Sequence, residues 1–496
     1  MGGSVKNVAF FRTTDAPVLP APASTVGARG WLTAHLFSSP LNTVLTVLLG
    51  GTMAWIAWSI IDWALVTAVW RGESGKDCAG EGLGACWPLV FDKTLQWIYG
   101  FYPISERWRP NLVFLLGAAG LVPMLIPAVP FKALNALYLL LVFPLVTLVL
   151  LTGGHFGIGM SSFLWVAGLM LAATAALPAV FGGLEVMAAR NRWGTLAILF
   201  GGLPYLAIEF FFGNPLEVLP GVAKGLLTLI LLGAALSLQS TWVEGRASGI
   251  RVILGWLGVT LAILAAMAFL NIDFGLVPVE TSQWGGLLVT LVVSVTGIVA
   301  SLPIGIVLAL ARRSNMPVVR LFAVLFIELW RGVPLITVLF FSSVMLPLFL
   351  PEGTVFDKLL RALIGVALFS AAYMAEVVRS GLQAIPRGQY EGAMALGLSF
   401  WQSMRMIILP QALKISIPNI VGNFISLFKD TTLVAIIGLF DLFGMVRASV
   451  KDANWVSPTS VATGYLTLAA IYWVFCFSMS RYSMYTERRL GAGQKR

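Results

Sequence analysis

The chain has 496 residues, of which 58% are hydrophobic and only 11% are charged, and its formal net charge is +10 at pH 7. Because soluble domains carry about 25% charged residues, this composition excludes a water-soluble protein and predicts an all-α polytopic membrane protein. The basic residues lie in short clusters between apolar runs and not along one face, so the charge reflects membrane topology and excludes a nucleic-acid-binding surface.

The first part of the chain, residues 1–40, is predicted to be a cytoplasmic tail. It lacks the apolar run of a signal peptide and contains a Pro-rich stretch. Lys6, Arg12 and Arg29 place it in the cytoplasm by the positive-inside rule.

Twelve apolar runs follow, each of about 20 residues, which is the length that a helix needs to cross a bilayer. They lie near residues 42–68, 112–130, 134–152, 162–182, 195–213, 219–239, 251–270, 285–311, 319–347, 359–381, 415–440 and 461–481. An even number of spans places the basic C-terminal tail in the cytoplasm with the N-terminus. A polar stretch at 271–282 separates an accessory transmembrane region, residues 41–275, from a module at residues 281–490.

The loop between the first two spans, residues 71–110, is predicted to face the periplasm. It holds Cys78 and Cys86, two of the three cysteines in the chain. On an oxidising side this pair allows a disulfide, and two free thiols are the alternative. The stretch Gly72–Asp77 is only superficially similar to a phosphate loop, because an aspartate stands where Ser or Thr would bind magnesium. No other nucleotide-binding motif occurs, so any ATP chemistry is expected in another chain.

Charged residues within the spans of the module mark candidate functional positions, because an intramembrane ion needs a partner or a water-filled cavity. Glu328 and Arg331 are three residues apart and are predicted to be structural, with Pro334 bending their helix. Glu376 and Arg379 also share one helix face. For this second pair, an intrahelical ion pair near the membrane boundary and a contact with substrate are both open.

Residues 387–410 predict a helix–Gly–helix element between the tenth and eleventh spans. The first helix is expected to stop at Gly397, which takes the left-handed conformation after a helix end. Ser399 begins the second helix with Gln402 in a Ser-x-x-Gln capping box, and this helix is predicted to end before Pro410. Such an element outside the bilayer predicts a contact site for a soluble partner. An amphipathic interfacial turn without a partner is the alternative.

Lys429 and Asp430 are the charges that lie deepest in the predicted spans. Counting fifteen residues from Lys414 at about 1.5 Å each places Lys429 roughly 22 Å into a core of about 30 Å. Adjacent helical side chains project about 100° apart, so these two do not readily neutralise each other. With Thr431 and Thr432 they predict a binding site for a zwitterion. Structural salt bridges to other helices are the alternative.

The loop pattern Glu-x-Ala-x-x-x-Gly-(nine residues)-Ile-x-Leu-Pro resembles the cytoplasmic coupling loop of ABC importer permeases. The residues that carry this pattern are Glu391, Ala393, Gly397, Ile407, Leu409 and Pro410. In that family the short helix docks in a cleft of the ATPase subunit and transmits its closure. The resemblance therefore implies an ATPase-coupling loop at residues 387–410.

Further segments narrow the resemblance to the polar amino acid permeases, the histidine/glutamate permease-like family. The similar segments are Glu328–Pro334, Ala372–Arg379, Gln383–Glu391 and Lys429–Leu433. Two outer-loop segments look like the branch of general L-amino-acid or glutamate/glutamine/aspartate/asparagine importers of Gram-negative bacteria. They are Gly84–Trp87 and Phe101–Pro110. This chain is longer than is usual there, with additional spans between about residues 153 and 270.

The resemblance implies a type I ABC importer transmembrane domain with a core of about five helices, preceded by an extra N-terminal transmembrane region. It implies a bacterial inner-membrane complex with an ATPase dimer, a second permease subunit and a periplasmic amino-acid-binding protein. ATP and magnesium belong to the ATPase, so no cofactor and no metal are expected in this chain. The substrate-binding residues that it implies are Glu376, Arg379, Asp430, Thr431 and Thr432, and Lys429 is added from its depth alone.

Two other functions are compatible with the span count. An ion-coupled secondary amino acid carrier would bind coupling ions and need no ATPase, and inverted repeats would favour it. A non-transporting membrane scaffold would use the loop for assembly only. We expect an amino acid permease without enzymatic activity of its own.

Overall fold

The structure is a computed structural model that describes residues 27–126, 128–154, 156, 247–349 and 357–491. Within these ranges the regular secondary structure is helical, and pairing between extended segments is limited to three isolated β-bridges. The helices are α1 (Gly27–His35), α2 (Pro40–Ile61), α3 (Trp87–Tyr99), α4 (Trp108–Leu125), α5 (Lys132–Leu137), α6 (Phe143–Thr152), α7 (Ala247–Leu270), α8 (Gly286–Arg312), α9 (Pro317–Gly332), α10 (Leu335–Phe340), α11 (Lys358–Gln383), α12 (Arg387–Ala395), α13 (Phe400–Ser403), α14 (Leu409–Asp430), α15 (Leu442–Ser449) and α16 (Ser460–Gly491).

Seven helical segments in the described ranges are long and apolar enough to cross a membrane. They are Pro40–Val66, Ile104–Leu125, Lys132–Thr152, Gly286–Arg312, Lys358–Gln383, Phe400–Ile437 and Ser460–Arg489. A bent pair, Pro317–Gly332 and Leu335–Leu348, makes an eighth if it is one broken span. Helix α7 coincides with the predicted span at 251–270. The predicted spans at 162–182, 195–213 and 219–239 lie outside the described residues, so a total of twelve stays a prediction.

The predicted bend at Pro334 is confirmed. Helices α9 and α10 meet at 104° across Val333 and Pro334. Val333 is extended, with φ −106° and ψ 134°, because the proline ring disfavours a helical conformation at the preceding residue.

The helix that begins at Phe400 does not end before Pro410, so this prediction was wrong. Helix α13 continues through the π-helical turn Met404–Ile408 into α14, with Pro410 in the first turn of α14. Within this continuous segment Pro410 cannot donate a helical hydrogen bond, and the wider π-helical turn directly before it accommodates the proline ring and the missing bond. The second half of the loop and the following span therefore form one helical segment.

The described residues divide into two compact units. The first unit contains the residues up to Leu89 together with Asn454–Thr463. In it, Cys78 and Cys86 form a disulfide with a Cα–Cα distance of 5.7 Å, and both residues are fully buried. The Cys86 N–H donates to Thr463 Oγ1 at 2.8 Å. Helix α2 has no buried residue.

The second unit contains Val90–Ala453 and the residues from Gly464 onwards. Its centre is the packing of α8, α11 and α14. A Cβ atom added at Gly381 of α11 would collide with Ser416 Oγ and lie 2.6 Å from Ala412 O, both on α14. Small residues permit such close approach between membrane helices. Helices α11 and α14 are thus in direct contact; α11 carries Glu376 and Arg379, and α14 ends with Lys429 and Asp430.

Candidate functional site

The loop at residues 387–410 has the local geometry that its sequence predicts. Gly397 has φ +70°, so the first helix ends in a left-handed residue as expected. Both halves of the capping box form: the Ser399 N–H donates to Gln402 Oε1 at 2.9 Å, and the Gln402 N–H donates to Ser399 Oγ at 3.4 Å. The loop is therefore a defined turn between two helices.

Large apolar side chains of this loop are exposed. Met394 and Leu396 are 67% and 75% exposed, and Phe400, Trp401 and Met406 are each more than half exposed. The loop still has an anchor, because Ala393 and Ile408 are fully buried or nearly so. An exposed apolar cluster of this kind marks a contact with another protein or with the membrane.

The predicted coupling residues differ in their exposure. Glu391, Gly397 and Pro410 are exposed, Ile407 and Leu409 are half-buried, and Ala393 is buried. The exposed members are thus available to a partner, and the buried ones pack within this chain.

Tyr390 and Gln389 hold the loop against the spans. Arg313 Nη1 donates to the Tyr390 hydroxyl at 3.0 Å, and that hydroxyl donates to Leu382 O at 3.0 Å. Gln411 Nε2 donates to Gln389 Oε1 at 3.1 Å. These bonds join α12 to the ends of α8 and α11 and to the start of α14.

Glu376 and Arg379 lie in an ion-pair cluster that joins α8, α9 and α11. Arg379 Nη2 lies 2.5 Å from Glu376 Oε2, and Arg312 Nη1 lies 2.6 Å from Glu376 Oε1. Arg331 lies 3.8 Å from the same Oε1, and Arg312 Nη2 donates to Glu328 at 3.0 Å. Three guanidinium groups against two carboxylates leave a net charge of +1. Arg312, which sequence reasoning missed, is the residue that connects the two carboxylates.

Lys429 and Asp430 end helix α14. The Thr431 hydroxyl donates to Phe428 O at 2.8 Å and is buried, and the Thr432 hydroxyl donates to Lys429 O at 2.9 Å. Lys429 is exposed, and Asp430 is half-buried with a hydrogen bond from Ser426. Among the residues that the structure describes, neither charge has an ion-pair partner. Of the bonds found in these ranges, none connects this segment with the ion-pair cluster.

Asp441 is a buried carboxyl that sequence reasoning missed. It is fully buried at the start of α15, where it accepts the Gly444 N–H at 2.9 Å and the Phe443 N–H at 3.3 Å. The Tyr472 side chain is also hydrogen-bonded to it. Burial raises the pKa of Asp441 from its ordinary 3.8 to about 6. The available signal was its place as an Asp directly before an apolar helix, which is typical of an N-cap.

The chain is 37% identical over 481 residues to the inner membrane amino-acid ABC transporter permease protein YhdY of Escherichia coli (strain K12), covering 96% of this chain and 97% of that protein. It is 40% identical over 499 residues to the glutamate/glutamine/aspartate/asparagine transport system permease protein BztC of Rhodobacter capsulatus, covering 98% and 99%. Both alignments run over nearly the full length of both proteins. This chain belongs to the ABC transporter permeases.

Residues 301–492 of the permease match the family described as the binding-protein-dependent transport system inner membrane component. A solved structure, described as an amino acid ABC transporter with histidines, is 30% identical and covers 41% of the permease and 92% of that chain, at a TM-score of 0.37. The assignment rests on the full-length relatives. These relatives confirm the predicted all-α importer transmembrane fold with an extra N-terminal region. They also confirm the predicted role as a membrane-embedded permease subunit of an amino-acid ABC importer.

Proposed function

We propose that this permease moves polar L-amino acids of the glutamate, glutamine, aspartate and asparagine group from the periplasm to the cytoplasm. It acts as one subunit of an inner-membrane importer with an ATPase dimer, a second permease subunit and a periplasmic amino-acid-binding protein. The substrate group is that named for BztC. ATP and magnesium belong to the ATPase subunits, and both termini of the permease lie in the cytoplasm.

The observation that carries this proposal is the exposed apolar cluster on residues 387–410. The cluster lies on a turn between two spans, and the first short helix of that turn, α12, is held by hydrogen bonds to three spans. A protein cleft that received Met394, Leu396 and Phe400 would bury this surface, and its closure would displace the ends of those spans. The exposed Glu391 adds a charge to the same surface.

Lys429 and Asp430 are the preferred substrate contacts. A cation and an anion without ion-pair partners in the described ranges suit the carboxylate and the ammonium group of an amino acid, and an intramembrane charge needs such compensation. The Thr431 and Thr432 hydroxyls donate to the backbone; the Thr432 oxygen keeps acceptor capacity for a ligand, whereas Thr431 is buried with its oxygen 3.4 Å from the Tyr472 hydroxyl and would contact a ligand only after rearrangement. Glu376 and Arg379 would contact substrate only by exchanging partners within the ion-pair cluster. Alternating access then follows from rearrangement of these helices.

Reconstitution in proteoliposomes tests the function. The permease with its ATPase, second permease subunit and binding protein is expected to take up radiolabelled L-glutamate only when both the binding protein and ATP are present. Uptake by the permease alone under an ion gradient would instead show a secondary carrier, and no uptake by the complete complex would show a scaffold.

Charge reversal tests the loop. Glu391→Arg is expected to abolish ATP-dependent uptake and association with the ATPase, because it reverses a charge on the docking surface. Glu487→Arg is the matched control: it reverses an exposed charge on α16, which is also predicted to be cytoplasmic, and is expected to leave uptake unchanged. Full uptake by Glu391→Arg would contradict the assignment of the loop.

A further inference from the structure

Helix α3, which lies in the extra N-terminal region, is bonded to the permease core at α15. The Trp97 indole N–H donates to Ser449 Oγ at 2.9 Å, and both side chains are buried. One helical turn earlier, Lys93 Nζ lies 2.8 Å from Asp452. Ser449 is the last residue of α15, and Asp452 follows three residues later. One face of α3 therefore packs against the C-terminal end of α15.

The same interface includes backbone packed against backbone. Gly100 and Gly286 both have positive φ, of +67° and +62°. A Cβ at Gly100 would lie 2.5 Å from Gly285 N, and a Cβ at Gly286 would lie 2.6 Å from the Trp97 carbonyl carbon. Neither position can accept another residue without separating the two segments. Because neither Gly100 nor Gly286 can carry a side chain here, the backbones of the two segments are held in close contact.

From this contact, a continuous set of bonds leads to the segment Lys429–Thr432. The Gly286 N–H donates to Phe440 O at 2.8 Å, and the Leu442 N–H donates to Thr290 Oγ1 at 3.0 Å. Asp441 lies between Phe440 and Leu442 in the chain, and its carboxylate is hydrogen-bonded to the Tyr472 side chain. The Tyr472 hydroxyl in turn lies 3.4 Å from Thr431 Oγ1. The position of Thr431 thus depends on the place of α15 and of the start of α8, and α3 contacts both.

We propose that helix α3 of the extra N-terminal region positions the substrate-binding segment Lys429–Thr432, with Trp97 and its acceptor Ser449 as the positioning residues. This inference rests on the proposed function, because it takes that segment as the substrate contact. It gives part of the extra region a role in transport: α3 fixes the place of α15 and of the start of α8, on which the position of Thr431 depends.

Trp97→Phe and Ser449→Ala test the proposal in the complete reconstituted importer. Trp97→Phe keeps an aromatic ring and removes the indole donor, and Ser449→Ala removes the acceptor. Each is expected to lower L-glutamate uptake per assembled complex about fivefold, the equivalent of about 1 kcal/mol for one lost hydrogen bond. Each is also expected to change the ratio of L-glutamate to L-glutamine uptake, which a smaller amount of folded protein would not change. The double variant is expected to be no worse than the single ones, because both remove the same bond.

Trp87→Phe is the matched control. It removes an indole donor that bonds to Ala64 O at 2.8 Å within the N-terminal residues and not to the core, and it is expected to leave the uptake ratio unchanged. The proposal is overturned if Trp97→Phe and Ser449→Ala keep the wild-type ratio and lose uptake only in proportion to recovered complex. A wild-type complex without ATP-dependent uptake would instead contradict the proposed function itself.

Discussion

Replacing Gly381 by alanine tests the close packing of α11 on α14. The added Cβ would collide with Ser416 Oγ and lie 2.6 Å from Ala412 O, whereas carbon atoms in contact lie about 3.5–4.0 Å apart. The serine side chain can rotate away, but the backbone carbonyl cannot. The two helices must therefore separate, or α11 must bend.

The expected cost follows from two opposing effects. Overpacking a tight interface costs about 1–3 kcal/mol, and replacing glycine by alanine within a helix recovers up to about 1 kcal/mol. The net loss is about 1–2 kcal/mol. With an unfolding entropy of about 2.1 cal/mol/K per residue, a chain of 496 residues has about 1 kcal/mol/K, so the unfolding midpoint is expected to fall by about 1–2 °C. Intrinsic tryptophan fluorescence of the purified protein during heating in detergent measures this midpoint.

Gly422→Ala is the matched control on α14, because nothing lies within 4 Å of a Cβ at that position. It is expected to be as stable as the wild type or slightly more stable. Adding Ser416→Ala to Gly381→Ala removes one of the two collisions, so it is expected to recover part of the loss. If Gly381→Ala unfolds at the same temperature as Gly422→Ala, the described packing of α11 on α14 is incorrect.

Three further predictions address other parts of the chain. Alkylation of the denatured, unreduced protein is expected to label Cys476 alone, and all three cysteines after reduction; labelling of three without reduction would exclude the disulfide. Because burial raises the folded-state pKa of Asp441 from 3.8 to about 6, its contribution to stability is complete below about pH 4 and is lost as the pH rises through 6. Asp441→Asn keeps the helix cap but cannot titrate, so the unfolding temperature of the variant is expected to vary less with pH between about pH 4 and 6 than that of the wild type. An equal pH dependence in both proteins would refute this prediction. Ser399→Ala removes the cap of α13 at a cost of about 1 kcal/mol, so amide exchange at Gln402 is expected to accelerate, and unchanged exchange would show that the cap is unimportant.

Local signals in the sequence were sufficient for the turn at residues 387–410. The conformation of Gly397 and the capping box of Ser399 and Gln402 depend on neighbours within three residues, so they could be predicted and are confirmed. The end of the helix before Pro410 could not be predicted correctly, because it depends on the π-helical turn Met404–Ile408, which no residue preference specifies.

Tertiary contacts limited the prediction of the candidate site. The sequence showed that Glu376 and Arg379 share a face, but the contact of Arg312 with Glu376 joins residues 64 apart in the chain. The buried position of Asp441 likewise depends on the start of α8. The substrate-binding roles of all six candidate residues stay predictions, because their composition and spacing show which charges are present but not which molecule binds to them.

The N-terminal disulfide loop has a consequence for how the protein is made. The backbone N–H of Cys86 is hydrogen-bonded to Thr463, 377 residues later, and the N–H of Gly75 donates to Asn454 O at 2.7 Å. Until the ribosome has passed residue 463, these buried donors have no acceptor from that segment. A nascent chain that stops earlier therefore keeps an incomplete first unit.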